Sequence, residues 1–352
     1  MIALENRNIR SYEKLVTPEA LSLSLPITKK VGSLVQDTRE EIRRIICGNS
    51  QRMLFVVGPC SIHNTKEAMD YGRALKKLAD AVKDRILIVM RVYFEKPRTT
   101  IGWKGLINDP HLDGTCRVNE GLRLARQLLL NLNSIGLPCG YEVLDTITPQ
   151  YISDLMSWGA VGARTVESQV HRQLVSGLSM PVGFKNGTSG SLSVAADAIL
   201  SARHPHCFMG ITQTGEPAIC NTVGNQDCHI ILRGGRHGPN YAHPHLERAM
   251  LTLMSRGLNP CCMMVDCSHG NSGKDHEKQH IVFEDVIGQR TEGNHYIVGL
   301  MLESNINAGK QEPPASASKV PTKLKYGFSI TDACIDIDET TRLVHWAYKR
   351  LA

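Results

Sequence analysis

Long apolar runs are missing from this 352-residue chain: no stretch approaches the roughly 18 uninterrupted apolar residues that a helical membrane span needs. Aromatic residues are scarce, at 5%. Lys and Arg outnumber Asp and Glu to give a formal charge of +6, yet they never cluster into a basic stripe. With neither that stripe nor an aromatic ladder, nucleic acid is not the expected partner. The opening stretch MIALENRNIRSYEKL lacks an apolar core and mixes both charge signs, so no signal peptide is expected and the cytoplasm is the expected compartment. Regular cysteine spacing is absent too. The chain has 11 cysteines, an odd number, with only Cys261 and Cys262 adjacent. That excludes a disulfide framework and fits reduced, mostly buried thiols. No Pro-, Gly- or Ser-rich linker interrupts the chain before Gln311, so residues 1–352 read as one domain. Apolar residues at 42% and charged residues at 21% match a soluble globular enzyme.

What is present is alternation. Short apolar runs stand at Met53–Ser61, Ile86–Phe94, Leu137–Asp145, Gly159–Val166, Met180–Asn186, Cys228–Gly235, Cys261–His269 and Tyr296–Asn305. Runs apolar on both faces suit parallel strands covered by helices. Helix-like segments such as Lys66–Val82, Arg117–Leu132 and Ser191–Arg203 lie between them. Eight such units over about 250 residues predict an α/β fold of the (β/α)8 TIM-barrel kind. Two pieces fall outside the alternation. Residues 1–49 read as an N-terminal arm followed by a helix over Asp37–Cys47, and Cys207–Val223 reads as a β-hairpin inserted before the sixth strand. Gly309–Lys325 reads as a long exposed loop.

Each run ends on a residue foreign to a core: Cys60, Arg91, Glu142, Arg164, Lys185, Arg233, His269 and Glu303. A single strand-end Arg is usually a solvated rim residue. Eight of eight, four of them cations, point instead to one site at the mouth where a barrel's strand ends converge. Four inward cations need an anionic ligand, and Arg offers the forked geometry that phosphate and carboxylate accept. Cys60, His269 and Glu303 end runs one, seven and eight, which are neighbours around a closed barrel, and Asp332 follows the eighth. Thiolate, imidazole and carboxylate together suit a borderline divalent metal. No CxxC or HExxH spacing supports it, and taken singly Cys60 and His269 read equally well as buried structural residues.

The stretches GPCSIH (Gly58–His63), FEKPRTTIGWKGLINDP (Phe94–Pro110), GARTVESQVHR (Gly162–Arg172), PVGFKNGT (Pro181–Thr188), HIILRGG (His229–Gly235), VDCSHGNS (Val265–Ser272), LMLESN (Leu300–Asn305) and SITDAC (Ser329–Cys334) resemble those of one family. It is the class I, long-chain, feedback-regulated form of 3-deoxy-D-arabino-heptulosonate 7-phosphate synthase. The resemblance runs over essentially the whole chain. It implies condensation of phosphoenolpyruvate with erythrose 4-phosphate and water, releasing phosphate, as the first step of the shikimate pathway. It implies one divalent ion (Mn2+, Fe2+, Co2+ or Zn2+) on Cys60, His269, Glu303 and Asp332. Phosphoenolpyruvate would be held by Arg91, Lys96, Glu142, Arg164, Lys185, Arg233 and the Ala163 N–H, and erythrose 4-phosphate by Lys96, Pro97, Arg98 and Thr99. The metal would act as Lewis acid on the aldehyde, with Lys96 or a water on the metal as the general acid.

The resemblance also implies a homodimer or homotetramer, and an aromatic amino acid as feedback inhibitor. Its pocket would be formed by Pro149, Gln150, Ser179, Phe208, Gly210 and Cys220, with Asn6 and Ile9 from a partner's arm. Taken alone, Pro149-Gln150 is an ordinary helix start. Gly210 is smaller than the serine of phenylalanine-sensing relatives, and Asn6 stands where they carry aspartate. Room plus a polar neighbour favours the hydroxyl of tyrosine. Two alternatives remain: the sister synthase that uses arabinose 5-phosphate, whose sugar loop carries a KANRT-like sequence instead of KPRTTIGWKG, and a catalytically silent regulatory homologue.

Overall fold

A computed structural model describes residues 4–259, 263–313 and 324–351. Among them ten strands form: β1 (Met53–Gly58), β2 (Ile86–Arg91), β3 (Cys139–Glu142), β4 (Trp158–Val161), β5 (Val182–Lys185), β6 (Cys207–Ile211), β7 (Pro217–Asn221), β8 (Cys228–Leu232), β9 (Met263–Asp266) and β10 (Ile297–Glu303). Eight of them close a barrel in the order β1-β10-β9-β8-β5-β4-β3-β2. Every barrel pairing is parallel; Val56, for instance, stands opposite Val89 on one side and Met301 on the other. All residues of these eight strands are buried, as expected for a sheet packed on both faces.

The helices are α1 (Pro18–Ser24), α2 (Lys29–Ile46), α3 (Thr65–Val82), α4 (Val118–Ser134), α5 (Pro149–Ile152), α6 (Gln169–Ser176), α7 (Leu192–Ala202), α8 (His243–Met254), α9 (Gln279–Thr291) and α10 (Ile337–Arg350). Side chains start several of them. Asn64 accepts from the N–H groups of Lys66 (2.9 Å) and Glu67 (3.2 Å), and Asp336 from that of Glu339 (2.7 Å). Helices α3 to α10 follow the barrel strands in turn and cover the outside. None of the helices is long and apolar enough to cross a membrane, among the described residues.

The arm departs from expectation in two ways. Helix α2 begins at Lys29, eight residues before Asp37. Thr28 caps it by accepting from the Val31 N–H (3.3 Å), and Val31, Val35, Thr38, Ile42, Ile45 and Ile46 form one buried stripe. That packing outweighs the weak helix propensity of Gly32 and Ser33. Helix α1 was not foreseen; Thr17 caps it and Pro18 opens it. α2 runs beneath the strands' N-terminal ends: Arg39 donates to the carbonyls of Ser153 (2.6 Å) and Met156 (2.7 Å) ahead of β4, and Arg43 pairs with Asp227 (2.8 Å) ahead of β8.

The hairpin is present, with β6 and β7 antiparallel and Thr212 and Glu216 closing its turn. Its tip is tied down by Glu19 N–H to Gln213 O (2.9 Å) and by Gln213 Nε2 to Gln150 Oε1 (2.9 Å). In the region read as a long loop, residues 314–323 lie outside the described residues, and Gly309 and Lys310 bridge to Cys334 and Ser329. The seventh strand starts at Met263, and Cys261 and Cys262 also lie outside the described residues.

Candidate active site and metal centre

Because the barrel strands are parallel, their last residues meet at one mouth. Three of the four expected metal ligands converge there closely: one atom each of Cys60, Glu303 and Asp332 all lie within 4.8 Å of one another. β1 delivers Cys60 through a turn at Gly58, whose φ is 153°. A Cβ there would stand 2.9 Å from the Arg91 carbonyl, so only glycine lets β1 and β2 approach this closely. Glu303 is the last residue of β10, and the chain brings Asp332 back beside it through the bridge of Ser304 to Ile335. His269 presents Nε2 3.8 Å from Glu303 Oε1. Four expected strand-end residues lie just past the strands: β1 stops at Gly58, β4 at Val161, β8 at Leu232 and β9 at Asp266, leaving Cys60, Arg164, Arg233 and His269 in the loops that follow. At β4 the cause is a turn in which the Thr165 and Val166 N–H groups donate to Gly162 O.

The donors fit a borderline divalent ion. One sulfur, one imidazole and two carboxylates form a set that an oxygen-seeking ion would not select. Burial, and then the charge of Glu303, push the Cys60 thiol up to about 11, so an incoming cation must displace its proton. Lys96 reaches in from the chain after β2, with Nζ 3.2 Å from Cys60 Sγ and 3.0 Å from the Cys60 carbonyl. Burial opposes the Lys96 charge, but Cys60, Glu303 and Glu142 raise its pKa overall. Gln279, at the start of α9, was not foreseen. It clamps the backbone of Glu303, donating from Nε2 to its carbonyl (3.0 Å) and accepting its N–H on Oε1 (2.9 Å).

The expected anion clamp comes together in part. Lys185 is buried and paired with Asp266 (2.8 Å). Arg233 is half-buried, its backbone N–H held by Asn186 Oδ1 (2.8 Å). Burial lowers its pKa, and Arg164 lowers it further against the pull of Asp266. The two arginines are therefore neighbours at the mouth, with Arg164 exposed and Ala163 partly so. Glu142 is buried and packs so closely on Gly162 that a Cβ there would lie 2.1 Å from Oε1. Arg91 differs from the rest: wholly buried, it bonds Glu303 (3.2 Å) and stacks 3.9 Å above the Tyr93 ring. Pro97 is half-buried, while Arg98 and Thr99 stand exposed at the rim, Arg98 donating to the Trp103 carbonyl (2.7 Å).

Asp266 is the main residue that sequence reasoning missed. It is wholly buried beneath Lys185 and His269. Its position at the end of an apolar run was the available signal. Asn186, Asn240 and Asn271 were missed as well; together they lace the loops after β5, β8 and β9.

The residues expected around an effector are gathered in part. Phe208 faces Cys220 across the hairpin, and Gly210 follows on the same face, where a Cβ would lie 2.7 Å from Cys220 Sγ. Gln150 joins them through the hairpin tip. Pro149 is buried and Ser179 exposed. Asn6 and Ile9 are exposed, with Asn6 Oδ1 accepting from Tyr12 Oη (2.8 Å).

Comparison with known proteins places these features in context. A sequence profile of the DAHP synthetase I family matches residues 25–345. The Tyr-sensitive phospho-2-dehydro-3-deoxyheptonate aldolase of Escherichia coli K12 is 50% identical over 99% of this chain and 96% of its own. The Phe-sensitive enzyme of the same organism is 51% identical over 97% and 95%. The solved structure of the Francisella tularensis phospho-2-dehydro-3-deoxyheptonate aldolase superposes with a TM-score of 0.93, at 48% identity over 98% of both chains.

Proposed function

The chain belongs to the DAHP synthetase I family and is a 3-deoxy-7-phosphoheptulonate synthase acting at the first step of the shikimate pathway, and we propose that it performs this chemistry with the residues gathered at the barrel mouth. Phosphoenolpyruvate is held by Lys96, Arg164, Lys185 and Arg233, with Ala163 offering its N–H, while Glu142 and Arg91 line the floor. The cations neutralise the phosphate and carboxylate, so that a second phosphorylated substrate can approach. Erythrose 4-phosphate enters over Pro97, Arg98 and Thr99. Carbon 3 of phosphoenolpyruvate attacks the aldehyde, water adds at carbon 2, and phosphate leaves by C–O cleavage. Lys96, beside Cys60, is placed to give a proton to the new alkoxide.

The family is metal-dependent, and Cys60, His269, Glu303 and Asp332 would hold the ion, drawn from Mn2+, Fe2+, Co2+ and Zn2+. When bound it supplies Lewis acidity toward the aldehyde oxygen. The observation that carries this reading is the convergence of Cys60, Glu303 and Asp332 within 4.8 Å, directly beside Lys96. The test is phosphate release with erythrose 4-phosphate or arabinose 5-phosphate, with and without a strong chelator. Turnover only with the four-carbon sugar, abolished by chelation and restored by metal, is expected. Turnover with arabinose 5-phosphate alone, or full activity after exhaustive demetallation, would refute it.

Relatives inhibited by tyrosine and by phenylalanine support an aromatic amino acid as effector. We favour tyrosine, since Gly210 adds no side chain of its own beside Cys220 and Phe208, and place the effector against Pro149, Gln150, Ser179, Phe208, Gly210 and Cys220, completed by Asn6 and Ile9 of a second copy. The other hairpin face supports an oligomer: Met209 and Ile219, paired across the strands, are exposed, as are Leu4, Tyr12 and Leu23 of the arm. Dimer and tetramer both fit such a surface.

A further inference from the structure

Asp266 ends β9, and both of its carboxylate oxygens are filled. Oδ1 accepts from the Ser268 N–H (3.0 Å) and Ser268 Oγ (2.6 Å). Oδ2 accepts from Lys185 Nζ (2.8 Å) and faces His269 Nδ1 at 2.9 Å. The Asp266 carbonyl is itself held by Asn271 Nδ2 (2.9 Å). One oxygen is thus shared between an ammonium from β5 and an imidazole from the loop after β9.

The sharing decides which imidazole nitrogen carries hydrogen. Nδ1 must be protonated to donate to Oδ2, which leaves the lone pair on Nε2, the nitrogen facing Glu303. Ser268 Oγ also lies 2.7 Å from Nδ1. Its single hydrogen goes to Asp266 Oδ1, so it leaves that tautomer undisturbed. His269 holds φ at 55°, in the left-handed region where His is found more often than most side chains.

We propose that Asp266 is a positioning residue that couples the metal centre to the anion clamp by dividing one carboxylate oxygen between His269 and Lys185. A ligand anion that draws Lys185 toward itself leaves more of the Asp266 charge to His269. That makes the imidazole a better ligand and tightens metal binding. Metal on Nε2 strengthens the Nδ1–H bond to Asp266 in turn and frees Lys185 for the anion. The coupling is positive and reciprocal, as linkage requires. It rests on the assignment of Lys185 to phosphoenolpyruvate made above.

The experiment titrates Zn2+ into demetallated full-length enzyme against a competing chelator, with and without saturating phosphoenolpyruvate and without any sugar. Phosphoenolpyruvate binding is measured in the same series, and the thiolate-to-metal absorption of the Co2+ form reports whether Cys60 still ligates. In wild type, phosphoenolpyruvate is expected to tighten Zn2+ by at least about fivefold. In Asp266→Asn, Zn2+ binding should weaken by about 10–100-fold, the enhancement should vanish, and the Co2+ band should persist. Should that variant not fold, Lys185→Met serves: with all of the Asp266 charge left to His269, it should bind Zn2+ without phosphoenolpyruvate at least as tightly as wild type. Wild type binding both ligands without coupling, Asp266→Asn retaining the coupling, or Lys185→Met binding Zn2+ more weakly than wild type overturns the proposal. A wild type that binds no phosphoenolpyruvate would remove the underlying assignment and this proposal with it.

Discussion

Cys60 and His229 show how differently two buried titratable side chains serve this molecule. The Cys60 thiol, pushed up to about 11 by burial and Glu303, would serve as the proposed ligand once a cation takes its proton. Cys60→Ala should remove bound metal and activity together, while costing no more than about 1–2 kcal/mol of stability for a small side chain at the mouth. Elemental analysis and a thermal melt check both halves; a variant that keeps metal and turnover contradicts the assignment. His229 is structural. Its Nε2 accepts from Trp158 Nε1 (2.9 Å), and burial pushes its pKa down to about 4. The unfolded chain takes a proton below about pH 6.5, whereas the folded one resists until pH nears 4. The folded state therefore loses stability as pH falls through that window, by up to about 3 kcal/mol. Urea midpoints measured across the window should flatten in His229→Gln. Part of the slope should remain, because burial pushes His63 down to about 4 as well. An unchanged slope would show that His229 does not carry it.

At the scale of elements, the hairpin and α5 form one unit with the arm. The hairpin tip is bonded to Glu19 on α1 and to Gln150 on α5. On one hairpin face Phe208 packs against the core, while the opposite face is bare. An effector seated against that first face meets Gly210, where any side chain must push Cys220 Sγ aside. Inhibition series with tyrosine, phenylalanine and tryptophan should show tyrosine strongest on wild type. Ser179→Ala should weaken inhibition several-fold, and Gly210→Ser should weaken tyrosine more than phenylalanine. If no amino acid inhibits, or Ser179→Ala changes nothing, the pocket lies elsewhere; phenylalanine acting alone refutes only the argument from size.

At the scale of the whole molecule, the barrel supplies the site, and the arm and hairpin supply surface it does not need for closure. Met209, Ile219 and Val223 on or beside the hairpin, and Leu4, Tyr12 and Leu23 on the arm, are exposed apolar side chains that the proposed oligomer would cover. Light scattering at micromolar concentration should give a dimer or tetramer, and deletion of residues 1–14 should shift it toward smaller species. A monomer with the arm intact refutes this.

The eight-strand barrel, the hairpin and the set of strand-end residues were legible in the chain. Two-sided apolar runs leave a parallel sheet as their main option, and polar residues at their ends have nowhere to go but the mouth. The start of α2 was not legible, because the Gly32–Ser33 pair is a poor helix former and is held only by a stripe buried beneath the barrel. Asp266 was not legible as a shared partner, since its meaning depends on Lys185, which is 81 residues away in sequence. Arg91 reads in sequence as one more open clamp, yet the closed barrel commits it to Glu303 and Tyr93. Local pattern and residue type pointed to many of the groups near the mouth, but not to Asp266, Gln279 or Asn186. Which groups pair with each other was decided by closure of the sheet, which sets strands distant in sequence side by side within hydrogen-bonding reach.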